Sequence, residues 1–357
     1  MYRETQRKRY TLCEKVIIKR RKMKELTNKI LYGLVYGVWY ALSLLPFRIL
    51  FLFSDFLYFF IAHVVKYRHR VIWKNLKESF PEKTDAEISR IEKDFYHWFC
   101  DYLVETIKLM SLSPAALRKH MQFTGMDKFN EILNNGGSCA IYLGHYCNWE
   151  WISSIPLWVP EHVQCCELYH PLENKPMDLL FIKVRERYNA LCIPMQESLR
   201  KILEFKRKSS SLVVGYIADQ APMWNNIHHW IDFLHHDTPV LTGTERIVKH
   251  TNQACFYGDI TRTKRGYYVC ELKPIELNPK SKADFEITDM YFQMLEATIN
   301  RAPAYWLWSH NRWKRTHEEF NLRYDETTGK VDFGDLEEIK KRKAAQAKQE
   351  NEHGEIQ

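Results

Sequence analysis

A stretch of apolar residues near the start of the chain constrains its architecture more than any other feature. Ile30 to Leu45 contains no charged residue, Pro46-Phe47-Arg48 interrupts the stretch, and Ile49 to Val65 continues it with Asp55 as its one acid. As an α-helix with a rise of about 1.5 Å per residue, each half is about 24 Å long. This is less than the roughly 30 Å thickness of a membrane's hydrocarbon core. Pro46 is expected to break or kink any helix that continues through both halves.

Basic residues flank this apolar region on both sides. Lys24 and Lys29 precede it, and the residues that follow it include Lys66, Arg68, Arg70, Lys74 and Lys77. Because basic flanks favour the cytoplasmic side of a membrane, both ends are predicted to lie there. A re-entrant or interfacial helical hairpin over residues 30–66 fits this pattern better than one complete span. The alternative is a pair of buried core helices in a soluble protein.

The net charge of +8 at pH 7 is concentrated at the amino-terminal end of the chain. Residues 1–22 contain nine Lys and Arg residues and two Glu residues, which leaves the rest of the chain nearly neutral. Nucleic-acid binding requires a basic surface on the folded body, so this function is excluded. Residues 1–29 are predicted to be a basic extension that lies against anionic lipid. Met23 could also be the true start, in which case residues 1–22 are not translated.

The sequence after the apolar region predicts an α/β domain. Residues 67–118 are predicted to be a helical region with a turn at Phe80-Pro81-Glu82, followed by a helix whose N-cap is Thr84. Beyond it, short apolar runs alternate with amphipathic stretches, and the predicted strands are 139–143, 212–217 and a hairpin of 254–261 with 267–272. This alternation indicates a mixed, mostly buried sheet flanked by helices.

The predicted catalytic domain covers residues 119–320, and a charged tail covers residues 321–357. Within that tail, the segment from Glu337 onward is expected to be a frayed helix or disordered, because it has few apolar residues. The nine cysteines are odd in number and form no C-x-x-C motif, so reduced cytosolic thiols are expected.

The segment from Leu143 to Glu150 has the clearest potential for chemistry. A predicted buried strand ends at Gly144, and ligands bind at the carboxyl ends of strands in open α/β sheets. His145, at that position, can act as a general base on a substrate hydroxyl. Glu150 can accept the other ring N–H and hold the imidazole in one tautomer, as an acid does in a serine-protease triad. A His and a Glu at this spacing are also common by chance, and His145 could simply cap a helix.

Several blocks of the sequence resemble those of one enzyme family. The clearest is a block similar to the G-H-x-x-N-W-E block of the bacterial late lipid A acyltransferases, which reads Gly144-His145-Tyr146-Cys147-Asn148-Trp149-Glu150 here. That family is the lauroyl- and myristoyl-transferase-like group within the His-x4-acid lysophospholipid acyltransferase superfamily. Further blocks resemble the family in the same order between about residue 30 and 315: Arg70 to Leu76 with Phe80-Pro81-Glu82, Tyr169-His170-Pro171 with Arg185, Ala218-Asp219-Gln220, Thr242-Gly243-Thr244, and Trp306 to Lys314.

The resemblance implies a fold like that of the glycerolipid acyltransferases and a specific reaction. The expected activity is transfer of a fatty acyl chain from acyl carrier protein, or from acyl-CoA, to a hydroxyl of a lipid A precursor at the cytoplasmic face of the bacterial inner membrane. No cofactor and no metal are expected. His145 and Glu150 are the implied catalytic pair. The implied substrate-binding or oxyanion residues are Arg185, Asn148, Asp219 and Gln220, and His310 and Arg312 are implied to be structural or to lie on the substrate side.

The sequence also departs from the family pattern. Cys147 stands where the family usually has Gly, and residues 223–236 contain several His and Trp residues. A metal site is conceivable there, but the His spacing is not that of paired ligands on one helix face, and an interfacial loop is the preferred interpretation. The open alternatives are a lysophospholipid, an aminolipid or a glycosylated phosphoinositide as acceptor, and a non-catalytic membrane scaffold. Acyl-chain length, acylated position and oligomeric state are left open.

Overall fold

The computed structural model describes residues 23–24, 26–208 and 211–354 of the chain. The predictions for residues 1–22 therefore lie outside the described residues.

A seven-stranded sheet forms the centre of the protein. The strands lie in the order β1-β9-β8-β2-β5-β3-β4, and all neighbours are parallel except β8 and β9, which are antiparallel. The sheet is thus mixed and mostly parallel, as predicted. The strands are β1 Met121–Thr124, β2 Ser138–Leu143, β3 Gln164–Tyr169, β4 Ala190–Pro194, β5 Leu212–Ile217, β8 Ala254–Lys264 and β9 Tyr267–Glu276. Two small hairpins join β6 Trp230–Phe233 with β7 His236–Pro239, and β10 Tyr324–Asp325 with β11 Lys330–Val331.

The strands predicted from apolar runs lie in the middle of this sheet. Every residue of β2 is buried, because β5 and β8 pair with its two edges and helices cover both faces of the sheet. This accounts for the uninterrupted apolar sequence, since a strand buried on both faces has no polar side. The predicted hairpin of β8 and β9 is also confirmed, with Gly266 at its turn.

Helices cover both faces of the sheet. Side chains alternate between the two faces along a strand, so Ile141 and Leu143 point to one face and Tyr142 points to the other. On the first face lie α4, a 3₁₀ helix at Trp149–Leu157, and α7; on the second face Tyr142 packs against Tyr291 of α10, beside α8 and α9. The helices are α3 His69–Ser79, α4 Asp85–Leu109, α5 Pro114–His120, α6 Met126–Asn134, α7 Lys175–Arg185, α8 Ser198–Lys208, α9 Gly243–Thr251, α10 Glu286–Arg301, α11 His317–Arg323 and α12 Leu336–Gly354.

The long helix α4 begins where the sequence predicts. Thr84 caps it by accepting a hydrogen bond from the backbone N–H of Glu87, and the Glu87 carboxylate accepts one from the backbone N–H of Thr84. This reciprocal capping box satisfies two backbone N–H groups that have no partner within the helix. The charged carboxyl-terminal segment forms α12, which agrees with the helical alternative of the prediction.

Two apolar helices precede α3. The first, α1, covers residues 26–44, and the second, α2, covers Phe47–Tyr58 and continues as a π-helix over Phe59–Val64. The chain breaks between them at Leu45 and Pro46, as predicted. The 18 residues Phe47–Val64 are long and apolar enough to cross a membrane. Only Leu50 and Ser54 of this segment are buried, so most of its apolar side chains are not covered by the protein.

Both apolar helices are attached to the α/β domain on the α4 side of the sheet. Trp39 of α1 donates a hydrogen bond to the Ile107 carbonyl and packs edge-on against Phe181 of α7 at 5.6 Å. In α2, Asp55 Oδ1 lies 2.5 Å from Arg265 Nη2, at the tip of the β8–β9 hairpin, and Arg265 also contacts the buried carboxylate of Asp101. The one acid of the apolar region is therefore paired with a base of the folded domain.

Candidate active site

His145 lies just beyond the carboxyl end of β2, where the chain leaves the sheet. Gly144, the residue before it, packs against α10 so closely that an added Cβ would lie 2.7 Å from Leu295 Cδ1. Glycine therefore fits this position without a shift of the Leu295 side chain. The backbone N–H of His145 donates a hydrogen bond of 2.8 Å to Asp219 Oδ2.

Asp219 is the acid that contacts the imidazole of His145. It follows β5, which pairs with β2 in a register that places Ile217 beside Leu143. Asp219 and His145 each lie two residues beyond the end of their strand, and Asp219 Oδ1 is 2.5 Å from His145 Nδ1. The carboxylate is fully buried, and its Oδ2 also accepts a hydrogen bond from Trp306 Nε1 at 2.8 Å.

The electrostatic surroundings keep Asp219 ionised. Burial alone would raise the pKa of this carboxyl group, but the adjacent His145 and the nearby guanidinium of Arg312 hold its pKa well below its ordinary value. With Asp219 as an anion, Nδ1 of a neutral His145 carries the proton and donates it to Oδ1. Nε2 is then the basic nitrogen, and it lies 3.2 Å from the side-chain amide nitrogen of Gln220.

Glu150 does not make the predicted contact with His145. Its two oxygens instead accept hydrogen bonds from Arg185, from Nε at 2.8 Å and from Nη2 at 2.6 Å. The 3₁₀ helix that begins at Trp149 directs the Glu150 side chain toward α7. Asp219 follows the neighbouring strand β5 and lies directly beside the His145 ring. The prediction that Glu150 holds the ring N–H of His145 is therefore corrected, and Asp219 has that position.

The pair of Glu150 and Arg185 lies at the wall of the cavity. Burial would raise the pKa of Glu150, but the two-point contact with Arg185 keeps that pKa below its ordinary value. Burial would likewise lower the pKa of Arg185, and the facing carboxylates of Glu150 and Glu167 raise it. Both side chains are therefore charged, and the bidentate geometry fixes the orientation of the guanidinium.

Asn148 is not available to a substrate. It is fully buried, its Nδ2 donates to Glu105 Oε2 at 2.7 Å, and its Oδ1 accepts from the backbone N–H of Trp151 at 3.2 Å. The latter bond caps the 3₁₀ helix. The prediction of a substrate-binding role for Asn148 is corrected to a structural one, because protein partners occupy both ends of its amide.

His310 and Arg312 support the loop that carries Asp219. The Arg312 guanidinium is buried, lies 4.5 Å above the Trp306 ring and approaches Asp219 Oδ2 at 3.5 Å. His310 Nε2 accepts a hydrogen bond of 3.5 Å from the backbone N–H of Ala221. Burial, reinforced by Arg312, lowers the pKa of His310 to about 3, so this imidazole is neutral. Both contacts fit the structural alternative of the prediction, and the substrate-side alternative stays a prediction.

A cavity of about 740 Å³ opens beside His145. Its polar wall includes His145, Glu150, Arg185 and Gln220. Its apolar wall comes mainly from the strand faces and the 3₁₀ helix: Ile141, Leu143, Ile152, Ile155, Cys165, Leu168, Phe181, Val213 and Ile217. Such a mixture of an apolar lining and a few convergent polar groups is typical of a site for an amphipathic ligand.

Two further acids near the site have no sequence signal that distinguishes them. Glu167 lines the cavity 3.9 Å from Arg185, and burial raises its pKa to about 7 despite that cation. Glu105 of α4 is buried beneath the 3₁₀ helix, where it accepts hydrogen bonds from Asn148 and from Tyr268. Burial raises the pKa of Glu105 to about 7 as well. Neither acid belongs to one of the blocks that resemble the family, although Glu167 lies two residues before Tyr169-His170-Pro171.

The two departures from the family pattern have clear places in the structure. Cys147 is fully buried and has a φ of 51°, a left-handed conformation in which glycine is the least strained residue. In the His-rich segment, His229 pairs with Asp289 at 2.7 Å, and His236 stacks on Trp313 at 3.8 Å. Within the described residues, no three His, Cys, Asp or Glu side chains are grouped so as to hold a metal ion.

The fold and the site together define a class of protein. A buried acid orients a histidine at the carboxyl edge of an α/β sheet, beside a cavity that can hold an apolar chain, and this arrangement suits general-base chemistry on an amphipathic substrate. Residues 18–315 match the family model of the bacterial lipid A biosynthesis acyltransferases, so the chain belongs to this family. Its class of activity is therefore acyl transfer in lipid A, and hence lipopolysaccharide, biosynthesis. Comparison with the curated proteins found no match.

Proposed function

We propose that this protein transfers a fatty acyl chain from an acyl thioester to a hydroxyl of a lipid A precursor. The observation that carries this proposal is the pair of Asp219 and His145 at the wall of a cavity of about 740 Å³. The family match supports lipid A as the acceptor class. The donor is acyl carrier protein or acyl-CoA, and the reaction needs no cofactor.

In the proposed reaction, His145 is the general base. Its Nε2 takes the proton from the acceptor hydroxyl as the oxygen attacks the thioester carbonyl. The C–S bond of the tetrahedral intermediate then breaks, and the imidazolium returns the proton to the departing thiolate. The products are the acyl ester and the free thiol, and the enzyme is unchanged. General-base catalysis of this kind typically contributes a factor of about 10² to 10⁴ in rate.

Asp219 and Arg185 have separate proposed roles. Asp219 fixes the tautomer that leaves Nε2 basic, and it stabilises the imidazolium as the charge develops. Arg185 is held by Glu150 and lines the cavity, so its remaining N–H groups are available to the acceptor phosphate or to the oxyanion of the intermediate. Glu150 therefore acts through Arg185.

The proposed location is the cytoplasmic face of the bacterial inner membrane, on which α1 and α2 lie. The apolar side chains of α2 that the protein leaves uncovered include Leu52, Phe53, Phe56, Phe59 and Phe60, which suit a lipid environment. The ion pair of Asp55 with Arg265 favours a helix that stays docked against the domain over one that extends away from it across the bilayer. The acceptor lipid and the catalytic cavity then share one surface, which limits the search for substrate to two dimensions.

The test is acyl transfer by the purified full-length protein in detergent. Acyl carrier protein charged with a defined fatty acid, or the matching acyl-CoA, is mixed with a lipid A precursor, and mass spectrometry follows the acceptor. The wild type should add one acyl group, and His145→Ala should lose the activity while keeping its melting temperature. The control is His228→Ala, since His228 is exposed and does not line the cavity. Equal activity of His145→Ala and the wild type would overturn the mechanism. Acylation of a lysophospholipid or an aminolipid in place of the precursor would overturn the acceptor.

A further inference from the structure

Glu167 is an acid of the catalytic cavity that has no part in the proposed reaction. It lies on β3, between Gly215 of β5 and Cys192 of β4 in the register of the sheet. Gly215 has no side chain, and an added Cβ there would lie 3.9 Å from Glu167 Cβ, so β5 leaves the space beside Glu167 open. The Glu167 side chain keeps 25% of its surface accessible and lines the cavity. A ligand in the cavity can therefore touch this carboxyl group.

Arg185 lies between two carboxyl groups. Glu150 binds it at two points, and Glu167 Oε1 approaches its Nε at 3.9 Å from β3. The two acids differ in accessibility, because only 4% of the Glu150 side chain is accessible, against 25% for Glu167. Glu150 is thus a fixed counter-charge that the protein covers, whereas Glu167 is a second acid that a ligand can reach.

The charge of this group of three side chains depends on whether Glu167 carries a proton. Glu150 and Arg185 cancel, so the group is neutral with Glu167 protonated and carries one negative charge with Glu167 ionised. Among the described residues that line the cavity, Arg185 is the one Lys or Arg side chain. An anionic ligand group beside Arg185 therefore meets a net repulsion when Glu167 is ionised and none when it is protonated.

The groups that face Glu167 place this change of charge near neutral pH. Burial raises the pKa of Glu167 to about 7, opposed by Arg185 of α7 and reinforced by the acids Glu150 and Glu186. From β4, the thiol of Cys192 donates a hydrogen bond to Glu167 Oε1, with a distance of 3.2 Å between sulfur and oxygen. Both forms of Glu167 are therefore populated at neutral pH.

We propose that Glu167 determines how strongly Arg185 binds an anionic group of the acceptor lipid, such as a phosphate. The inference rests on the acyl transfer proposed above. A protonated Glu167 leaves Arg185 balanced by Glu150 alone and adds an O–H donor beside the anion. An ionised Glu167 lacks that donor and repels the anion. Glu167 thus selects the acceptor by charge, and it disfavours anionic acceptors as the pH rises.

The test compares three variants of the full-length protein with two acceptors. Glu167→Gln keeps the shape of the side chain and removes its ionisation, whereas Glu167→Asp keeps the ionisation. Asp178→Asn is the matched control, because Asp178 lines the same cavity but its Oδ1 accepts from the backbone N–H of Leu172, as Asn can. The acceptors are the phosphorylated lipid A precursor and the same lipid after enzymatic removal of its phosphates. Melting temperatures establish that each variant is folded.

The acceptor KM and kcat are measured at about pH 6 and at about pH 8.5, on either side of the pKa of Glu167. We expect the wild-type KM for the phosphorylated lipid, divided by that of Glu167→Gln, to rise about tenfold or more between the two pH values. The ratio of the two kcat values should change little. Ionisation of His145 and of the phosphate occurs in both proteins and cancels from these ratios. Glu167→Asp and Asp178→Asn should show the rise, and the dephosphorylated lipid should not.

The outcomes separate this inference from the proposed function. If the KM ratio stays constant with pH, or rises equally with the dephosphorylated lipid, Glu167 does not act on an acceptor anion and the inference is wrong. A pH-dependent change in the kcat ratio alone, with both lipids, would also overturn it, because Glu167 would then act on the reaction step. If the wild type acylates neither lipid, the acyl transfer itself is wrong and this inference falls with it.

Discussion

Replacement of Asp219 by Asn should reverse the tautomer of His145. Asp219 Oδ2 accepts from two groups that can only donate, the His145 backbone N–H and Trp306 Nε1–H, both at 2.8 Å. The carbonyl oxygen of Asn must take that place, so its NH₂ group replaces Oδ1 and faces His145 Nδ1, 2.5 Å away in the wild type. Nδ1 then has to accept, the ring proton moves to Nε2, and Nε2, the proposed general base, can no longer take a proton.

The size of the effect can be divided between catalysis and stability. The same change of tautomer in a serine-protease triad lowers kcat by about 10⁴, and a loss of about 10³ to 10⁴ here corresponds to about 4 to 5.5 kcal/mol of barrier. Stability falls separately, because Arg312 becomes a buried cation without a counter-charge. Removing one partner of a buried ion pair lowers the free energy of unfolding by about 3–5 kcal/mol. The double variant Asp219→Asn with Arg312→Gln removes both charges and should recover much of that stability without recovering activity.

The assay is single-turnover acyl transfer with both substrates saturating, together with urea unfolding of each variant. Glu150→Gln is the matched control, because it removes the carboxylate that the sequence had predicted to hold the imidazole and leaves the contact of Asp219 with His145 intact. We expect its main effect on the KM of the acceptor, through Arg185. If Asp219→Asn retains more than a tenth of wild-type turnover while Glu150→Gln loses a factor of a thousand, the reasoning is refuted and Glu150 is the orienting acid.

Two other predictions concern stability. Because burial raises the pKa of Glu167 from 4.5 to about 7, the folded protein binds a proton more tightly than the unfolded chain. This contribution to stability is fully present below about pH 4.5 and falls by up to about 3 kcal/mol as the pH rises to about 7. Glu105, whose pKa is also raised to about 7, adds to the same fall, so the fall of the melting temperature in Glu167→Gln should be smaller than in the wild type, and an unchanged profile would contradict the assignment. Cys147 has a φ of 51°, a conformation that a β-branched residue adopts only under strain. Cys147→Val should therefore destabilise the protein by about 2 kcal/mol or more, whereas the stability of Cys147→Gly should stay within about 1 kcal/mol of the wild type. Equal urea midpoints for the two variants would contradict this strain.

The sequence predicted best those elements whose pattern is local. Strand β2 was recognisable because helices cover both faces of the sheet and leave no polar position along it, and the break at Pro46 follows from the chemistry of one residue. The start of α4 was predictable for the same reason, since Thr84 and Glu87 form a cap within one turn of chain.

The partner of His145 could not be chosen by spacing. Asp219 is 74 residues away along the chain and comes beside the ring only because β5 pairs with β2 in one particular register. Glu150 is close in sequence, but a tight 3₁₀ turn and the competing guanidinium of Arg185 direct it elsewhere. Asn148 was misassigned for a similar reason, since its partner Glu105 belongs to a helix that precedes it by 43 residues.

The contact between Asp55 and Arg265 has a mechanical consequence. This contact couples the position of the domain to that of its apolar helix, because movement of the helix away from the domain would separate Asp55 from Arg265, which also contacts the buried Asp101. If α2 lies at a fixed depth in the lipid, this coupling keeps His145, the proposed general base, near one height above the acyl chains. The height of His145 would then select the acceptor hydroxyl. A hydroxyl at that height would react, and one that lies deeper in the head-group layer would not.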